Sequence, residues 1–205
     1  MHKIKKGRPK TFSKENANEI AMNVYWKEGM DNVSLNEICR KIGESKPSVY
    51  REYGGEEGLK VSALNLYLEK RVGTLSEYLF GTKGFLDNLQ SAFDYLINSN
   101  SHLEDGNVYP CMYNKESWFP SSNLPIACQN IIKAKDQEIY SNLKKIILQA
   151  KEKKEIFIGL DIDIYTSFIH HQLKLIATLS NKKVSRKVLN GMVKLIIDPL
   201  KYSNI

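Results

Sequence analysis

Residues 33–54 read VSLNEICRKIGESKPSVYREYG, and the order of residue types in this stretch decides the fold. Ser34 and Glu37 make a capping box: the hydroxyl accepts from the amide three residues on and the carboxylate reaches back to the Ser34 N–H, so a helix begins there. Leu35, Ile38 and Ile42 form its apolar stripe, and Gly43 supplies the left-handed residue that ends it after two turns. Ser45 caps the next helix, where Pro47 is harmless because first-turn amides have no intrahelical acceptor to lose. Val49 and Tyr53, four apart, point inward and leave Lys46, Ser48, Tyr50 and Arg51 outside. Two short helices joined by about three residues around Gly43 are thus predicted to form a helix-turn-helix.

Helical spacing continues on both sides. Ala17, Ile20, Ala21 and Val24 follow Ser13, a residue type that suits an N-cap, and predict a first helix over 13–28 that stops at Gly29. From Glu56 a longer helix runs through Leu59, Ala63, Leu66 and Leu68 toward Phe80, and another over 83–98 carries Phe85, Leu89, Phe93 and Leu96. Pro110, Pro120 and Pro125 break the segment 99–125 into short helices and turns. Ile132, Ile139, Leu143, Ile146 and Ala150 mark one long amphipathic helix over 129–153. Strand-like alternation is scarce, so the fold class is all-α.

The last two helices are apolar on more than one face. Tyr165, Ile169, Ile176 and Leu179 line one side of the first, and Ile164, Phe168 and Leu175 another. In the second, about 185–200, Val188, Met192 and Leu195 accompany Leu189, Val193, Ile196 and Ile197. A helix pair that apolar needs cover on two sides, and a second copy packed through a four-helix bundle supplies it. The expected dimer face is Ile164, Phe168, Leu175, Val188, Met192 and Leu195.

Composition is ordinary for a folded protein: 205 residues, 42% hydrophobic, 26% charged, with 12 Gly and 6 Pro. That excludes disorder, collagen-like repeats and disulfide scaffolds. Three cysteines, Cys39, Cys111 and Cys128, form no C-x-x-C pair, and their odd count fits a reducing compartment. No apolar run approaches the ~20 residues of a membrane span, and MHKIKKGRPK has no apolar segment of an export signal, so a cytoplasmic location is expected. Net charge is +7, of which Lys3, Lys5, Lys6, Arg8 and Lys10 contribute +5. A basic tail of this kind suits a polyanion, because cations that neutralise phosphates release condensed counterions.

A helix-turn-helix places its second helix in the major groove of DNA. There Arg51 can donate a bidentate pair to guanine, Ser45 and Ser48 can bond phosphate or base, and Tyr50 can offer its hydroxyl to phosphate. The stretch from Gly7 to about Tyr67 resembles the N-terminal domain of the TetR family of bacterial transcriptional regulators. The resemblance is carried by Val33-Ser34-Leu35-x-x-Ile38, Ile42-Gly43, Ser45-Lys46-x-Ser48-Val49-Tyr50-x-x-Tyr53-Gly54 and Glu57-Gly58-Leu59. It implies that Ser34, Ser45, Lys46, Ser48, Tyr50 and Arg51 contact operator DNA. Two positions depart from the family pattern. Glu56 stands where a phosphate-binding lysine is usual, with Lys60 one turn later as a partial substitute, and Cys39 replaces a small residue, usually Ala, between the first two helices of the motif. Lys6-Gly7-Arg8-Pro9-Lys10 resembles an arm in which Arg8 reads a narrow minor groove.

The expected organisation is therefore a flexible basic arm at 1–10, a helix-turn-helix domain at 11–55 and a helical ligand-binding and dimerisation domain at 56–205. The resemblance implies a homodimeric, non-enzymatic repressor released from a palindromic operator by a small molecule, with activation as the other sign of control. Phe93, Tyr113, Trp118 and Phe119 are the candidate lining of the effector pocket. His170 and His171 are adjacent and point to different faces, so no metal or other cofactor is expected. Thiol oxidation at Cys111 or Cys128, or a protein partner, is the alternative means of control. An enzyme is disfavoured because H-E-x-x-H, G-x-S-x-G, P-loop and nucleotide-binding glycine patterns are all absent from the sequence. Nonspecific DNA packaging would show a steep salt dependence without sequence preference.

Overall fold

The computed structural model describes residues 13–98, 109–156, 159, 161–182 and 184–201. The basic arm at 1–10, with Arg8, lies outside them. Ten α-helices account for most of the described residues: α1 (Lys14–Glu28), α2 (Leu35–Ile42), α3 (Lys46–Tyr53), α4 (Glu56–Tyr67), α5 (Thr74–Leu79), α6 (Phe85–Asn98), α7 (Met112–Trp118), α8 (Ile126–Glu152), α9 (Ile162–Asn181) and α10 (Arg186–Ile197). The described residues contain no strand beyond an isolated bridge between Ile156 and Lys201, and the all-α expectation holds.

Side-chain caps start the helices where the sequence places them. Ser13, Ser34, Ser45 and Ser185 each accept from the amide three residues on, and Asp161 accepts from the amides of Asp163 and Ile164. Only half of the predicted capping box at Ser34 forms. Glu37 turns away from the Ser34 N–H and lies 3.5 Å from Lys41 instead, an i,i+4 pair on the same helical turn. Gly43 closes α2 at φ 77°, ψ 29°, and the amides of Gly43 and Glu44 both donate to the Cys39 carbonyl. That left-handed turn leaves just Gly43, Glu44 and Ser45 between α2 and α3.

The helix expected to run from Glu56 toward Phe80 is not uniform. Between α4 and α5, Leu68–Gly73 is π-helical, a wider turn that often marks a functional position. The predicted long helix over 129–153 begins earlier, directly after Pro125, and buries Ile147 in place of the half-buried Ile146.

Two apolar cores organise the described residues. One joins α1 to α4 with α7 and the first half of α8, through Ile38, Val49, Leu59, Tyr67, Met112 and Ile132 among others. The second joins α5, α6, α9 and α10 with the second half of α8. Helix α4 is the link, since it packs on both α1 and α3 and also touches α8. Asn18 on α1 ties the helix-turn-helix to it, accepting from the Tyr53 hydroxyl at 2.8 Å and the Ser62 hydroxyl at 2.9 Å. Gly58 allows the close approach of α3 and α4: a Cβ there would stand 1.8 Å from the Tyr53 carbonyl oxygen.

Candidate nucleic-acid interface and buried cavity

Helix α3 is held by its inner face and free on its outer one. Val49 is fully buried, and half-buried Tyr53 is anchored through its hydroxyl, whose pKa burial pushes up to about 12. Ser45, Lys46, Tyr50 and Arg51 are exposed and Ser48 is half-buried. The Ser45 hydroxyl accepts from the Ser48 amide at 3.3 Å and lies 3.0 Å from the Ser48 hydroxyl, so both hydroxyls sit at the helix N-terminus, where the dipole favours an anion. Tyr50 lays its ring beside Gly55, which orients it.

Charge is deployed unevenly around the motif. On α1 and α2, Lys14 pairs with Glu52 at 3.1 Å, and Lys41 pairs with both Glu28 and Glu37. Among the described residues, neither Lys46 nor Arg51 has a carboxylate partner. Ser34 is exposed at the N-terminus of α2, its oxygen 3.3 Å from the Glu37 amide, which leaves its proton to donate elsewhere. Exposed Pro47 was not singled out from the sequence beyond its place in the first turn. It lies one turn before Arg51 on the outward face, and its ring offers the apolar contact that a thymine methyl takes. The signal was its i,i+4 spacing to Arg51.

Lys60 does not sit where the sequence reading places it. It is 7% exposed and its ammonium is 2.9 Å from the Glu56 carboxylate. It neutralises the acid one turn before it and is not presented to solvent. Cys39 is buried in the core between α1 and α2, as expected of a small apolar residue.

A cavity of about 80 Å³ lies in the wall formed by the π-helical turn, α6, α7, α8 and α9. Of the four aromatics expected to line it, Tyr113 does. Phe93 is fully buried in the second core, and Trp118 and Phe119 are 38% and 74% exposed at the end of α7, where an irregular turn directs them outward. The lining that sequence reasoning missed is polar: Arg71, Asn114, His170 and Lys174, with Tyr67, Tyr95 and Cys111. Lys174 is ion-paired with Asp136, which also accepts from the Tyr113 hydroxyl at 2.5 Å. Burial works against the charge of Asp136, but the close approach of His170 and the hydrogen bonds from Lys174 and Tyr113 prevail and hold it well below the usual carboxylate range. Burial raises the thiol of Cys111 and pushes that of Cys128 up to about 11.

The outer face of α9 and α10 carries the residues expected at a dimer interface. Ile164, Phe168, Val188 and Leu195 are 62%, 43%, 51% and 78% exposed, with Leu175 and Met192 half-buried between them. Their spacings of four and seven put each set on one helical face. No described helix is long and apolar enough to cross a membrane, and no described group of three or more His, Cys, Asp or Glu side chains is arranged to hold a metal ion.

Comparison with known proteins bears on this geometry. Residues 19–61 match the family described as bacterial regulatory proteins, tetR family. The chain is 23% identical over 168 residues to the HTH-type transcriptional repressor ComR of Escherichia coli (strain K12), covering 82% of this chain and 79% of that one. It is 33% identical over 73 residues to the HTH-type transcriptional repressor BdcR of the same organism, 36% of this chain and 37% of the other. Among solved structures, a cysteine-substituted TetR family regulator CifR, complexed with 26-bp double-strand operator DNA, is similar with a TM-score of 0.79 at 18% identity. That match covers 95% of this chain and 100% of the other. The reduced form of E. coli NemR is equally similar, with a TM-score of 0.79 at 14% identity over 93% of this chain and 98% of that one.

Proposed function

We propose that this chain, whose residues 19–61 match the TetR family of bacterial regulatory proteins, is a homodimeric repressor released from a palindromic operator when a small molecule enters the cavity beside α4. The observation that carries this reading is the outer face of α3, where Lys46 and Arg51 stand exposed with no carboxylate partner among the described residues. An unpaired cation at each end of the helix, with two hydroxyls at its N-terminus, fits phosphate and a guanine edge. Two such helices in successive major grooves, one helical turn or a multiple apart, call for a two-fold dimer.

The apolar face of α9 and α10 supports that dimer, because burying Ile164, Phe168, Val188 and Leu195 removes large apolar surface from water. Control follows from α4. It packs against α3 at one end and runs at the other into the π-helical turn that walls the cavity. A ligand that favours one arrangement of that turn changes the position of α3, and 1–3 kcal/mol of coupling alters operator occupancy roughly 5–150-fold.

Mass measurement of the protein on a duplex selected from the host genome tests the assembly. Two chains per site are expected, and a Phe168→Glu, Leu195→Glu variant that keeps its helical circular dichroism should sediment as a monomer and lose the duplex. A parent that binds the selected duplex as one chain, or a variant that still binds it as a dimer, overturns the dimer and its palindrome.

A further inference from the structure

We propose that the cavity beside the π-helical turn is a binding site for a small organic monocarboxylate, with Arg71 as its anion contact and His170 as a second donor. This rests on the reading of the same cavity as the effector site. The cavity wall holds three nitrogen bases, Arg71, His170 and Lys174. Lys174 is committed to Asp136 and also lies over the Tyr113 ring. Arg71 is half-buried and has no carboxylate partner among the described residues. One face of its guanidinium stacks on Trp26, 4.6 Å from the ring centroid, and its N–H edge, beside the Tyr95 hydroxyl, is a planar fork that matches a carboxylate.

His170 is an independent pointer to a ligand. It is 5% exposed and lines the cavity, and its Nε2 makes no hydrogen bond. The Asp136 oxygen lies 3.4 Å away, longer than an ordinary N–H···O hydrogen bond. A buried ring nitrogen without a hydrogen bond has lost the one it had in water, and a second oxygen of a bound carboxylate would restore it.

The remaining wall sets the body of the ligand. Leu75, Leu96, Ile139 and Leu173 present apolar surface, so the group behind the carboxylate is hydrocarbon. About 80 Å³ corresponds to two or three water molecules, which favours a chain of only a few carbons. One uncompensated cation matches one negative charge, and a dianion would keep an unpaired charge among apolar walls. Arg71 lies within the π-helical turn and touches Trp26 of α1. An anion drawing on that guanidinium therefore acts where α1 and α4 meet.

Titration calorimetry with sodium propionate, butyrate and isobutyrate, each against its neutral amide, tests the assignment on the full chain. At least one carboxylate should bind tenfold or more tightly than its amide. Arg71→Gln should weaken it at least tenfold, Arg71→Lys should restore part of the loss, and cavity-filling Leu173→Trp should abolish it, all with unchanged circular dichroism. If Leu173→Trp does not fold, Ala177→Leu takes its place. Equal binding of acid and amide, both lost on filling the cavity, keeps the pocket and overturns the carboxylate. Binding of inorganic phosphate but none of the three acids also overturns it, as does binding of no acid, or binding indifferent to Arg71 and to filling. If a carboxylate binds by every criterion and duplex affinity does not change, this assignment stands and the effector role of the cavity fails.

Discussion

The Lys60 ammonium lies 2.9 Å from the Glu56 carboxylate, one turn along α4 and 7% exposed. The acid that occupies the start of α4 is therefore matched from within the protein, and neither group is free to hold a DNA phosphate.

Glu56→Gln should raise affinity for any duplex and steepen the dependence of log K on log salt, because a negative charge leaves the interface. The same change leaves the buried Lys60 ammonium without its partner and should lower unfolding stability by about 1–3 kcal/mol. Binding titrations at several salt concentrations, with urea unfolding alongside, read both effects. Affinity unchanged at every salt would mean that the start of α4 is remote from DNA.

Arg51→Ala should relax sequence preference by about 1–3 kcal/mol at one base pair of each half-site, whereas Lys46→Ala should weaken all duplexes alike and flatten the salt slope. Competition of selected operator against random duplex separates the two. Equal behaviour of the two variants contradicts the division of roles.

Gly58→Ala places a methyl 1.8 Å from the Tyr53 carbonyl, so α3 and α4 must part. We expect a loss of about 1–3 kcal/mol in thermal or urea unfolding. Operator affinity should also fall under conditions where the variant is fully folded, because the position of α3 depends on this contact.

Asp136 is ionised far below its ordinary range by Tyr113, His170 and Lys174. Its folded pKa is depressed, so its contribution to stability is complete above the unfolded value of about 3.9 and is lost as pH falls toward the folded one. Asp136→Asn should therefore unfold more easily than the parent at pH 7, with a gap that narrows below about pH 4. Denaturant midpoints across pH 3–7 check the sign, and a gap that widens in acid would contradict the network.

Burial holds the Cys128 thiol at about 11, so roughly one molecule in 10⁴ carries the thiolate at pH 7. Iodoacetamide should label Cys128 far more slowly in the folded protein than in urea. Fast labelling with loss of duplex binding would favour control by oxidation.

Local patterns in the sequence reach a long way into this structure. Ser34, Gly43, Ser45 and Val49 are each defined by neighbours within four residues, so the helix-turn-helix is readable from spacing alone. The apolar outer face of α9 and α10 is readable for the same reason. The cavity is not, because Arg71, Tyr113 and His170 come from separate parts of the chain and no spacing rule joins them. Choosing aromatics for its lining failed at Phe93, which fills a core, and at Trp118 and Phe119, which end a short helix facing out. The π-helical turn has no sequence mark of the kind that capping residues give. Lys60 was legible: its spacing of four from Glu56 predicts the pair that removes it from the interface.

The most direct test of the whole account is selection of duplexes from a random pool by the intact protein, followed by binding titration of the best sequence. A two-fold symmetric site is expected, bound at least 10³-fold more tightly than random duplex at physiological salt, with that preference reduced by Arg51→Ala. Recovery of no common sequence, with one affinity for every duplex, would contradict it.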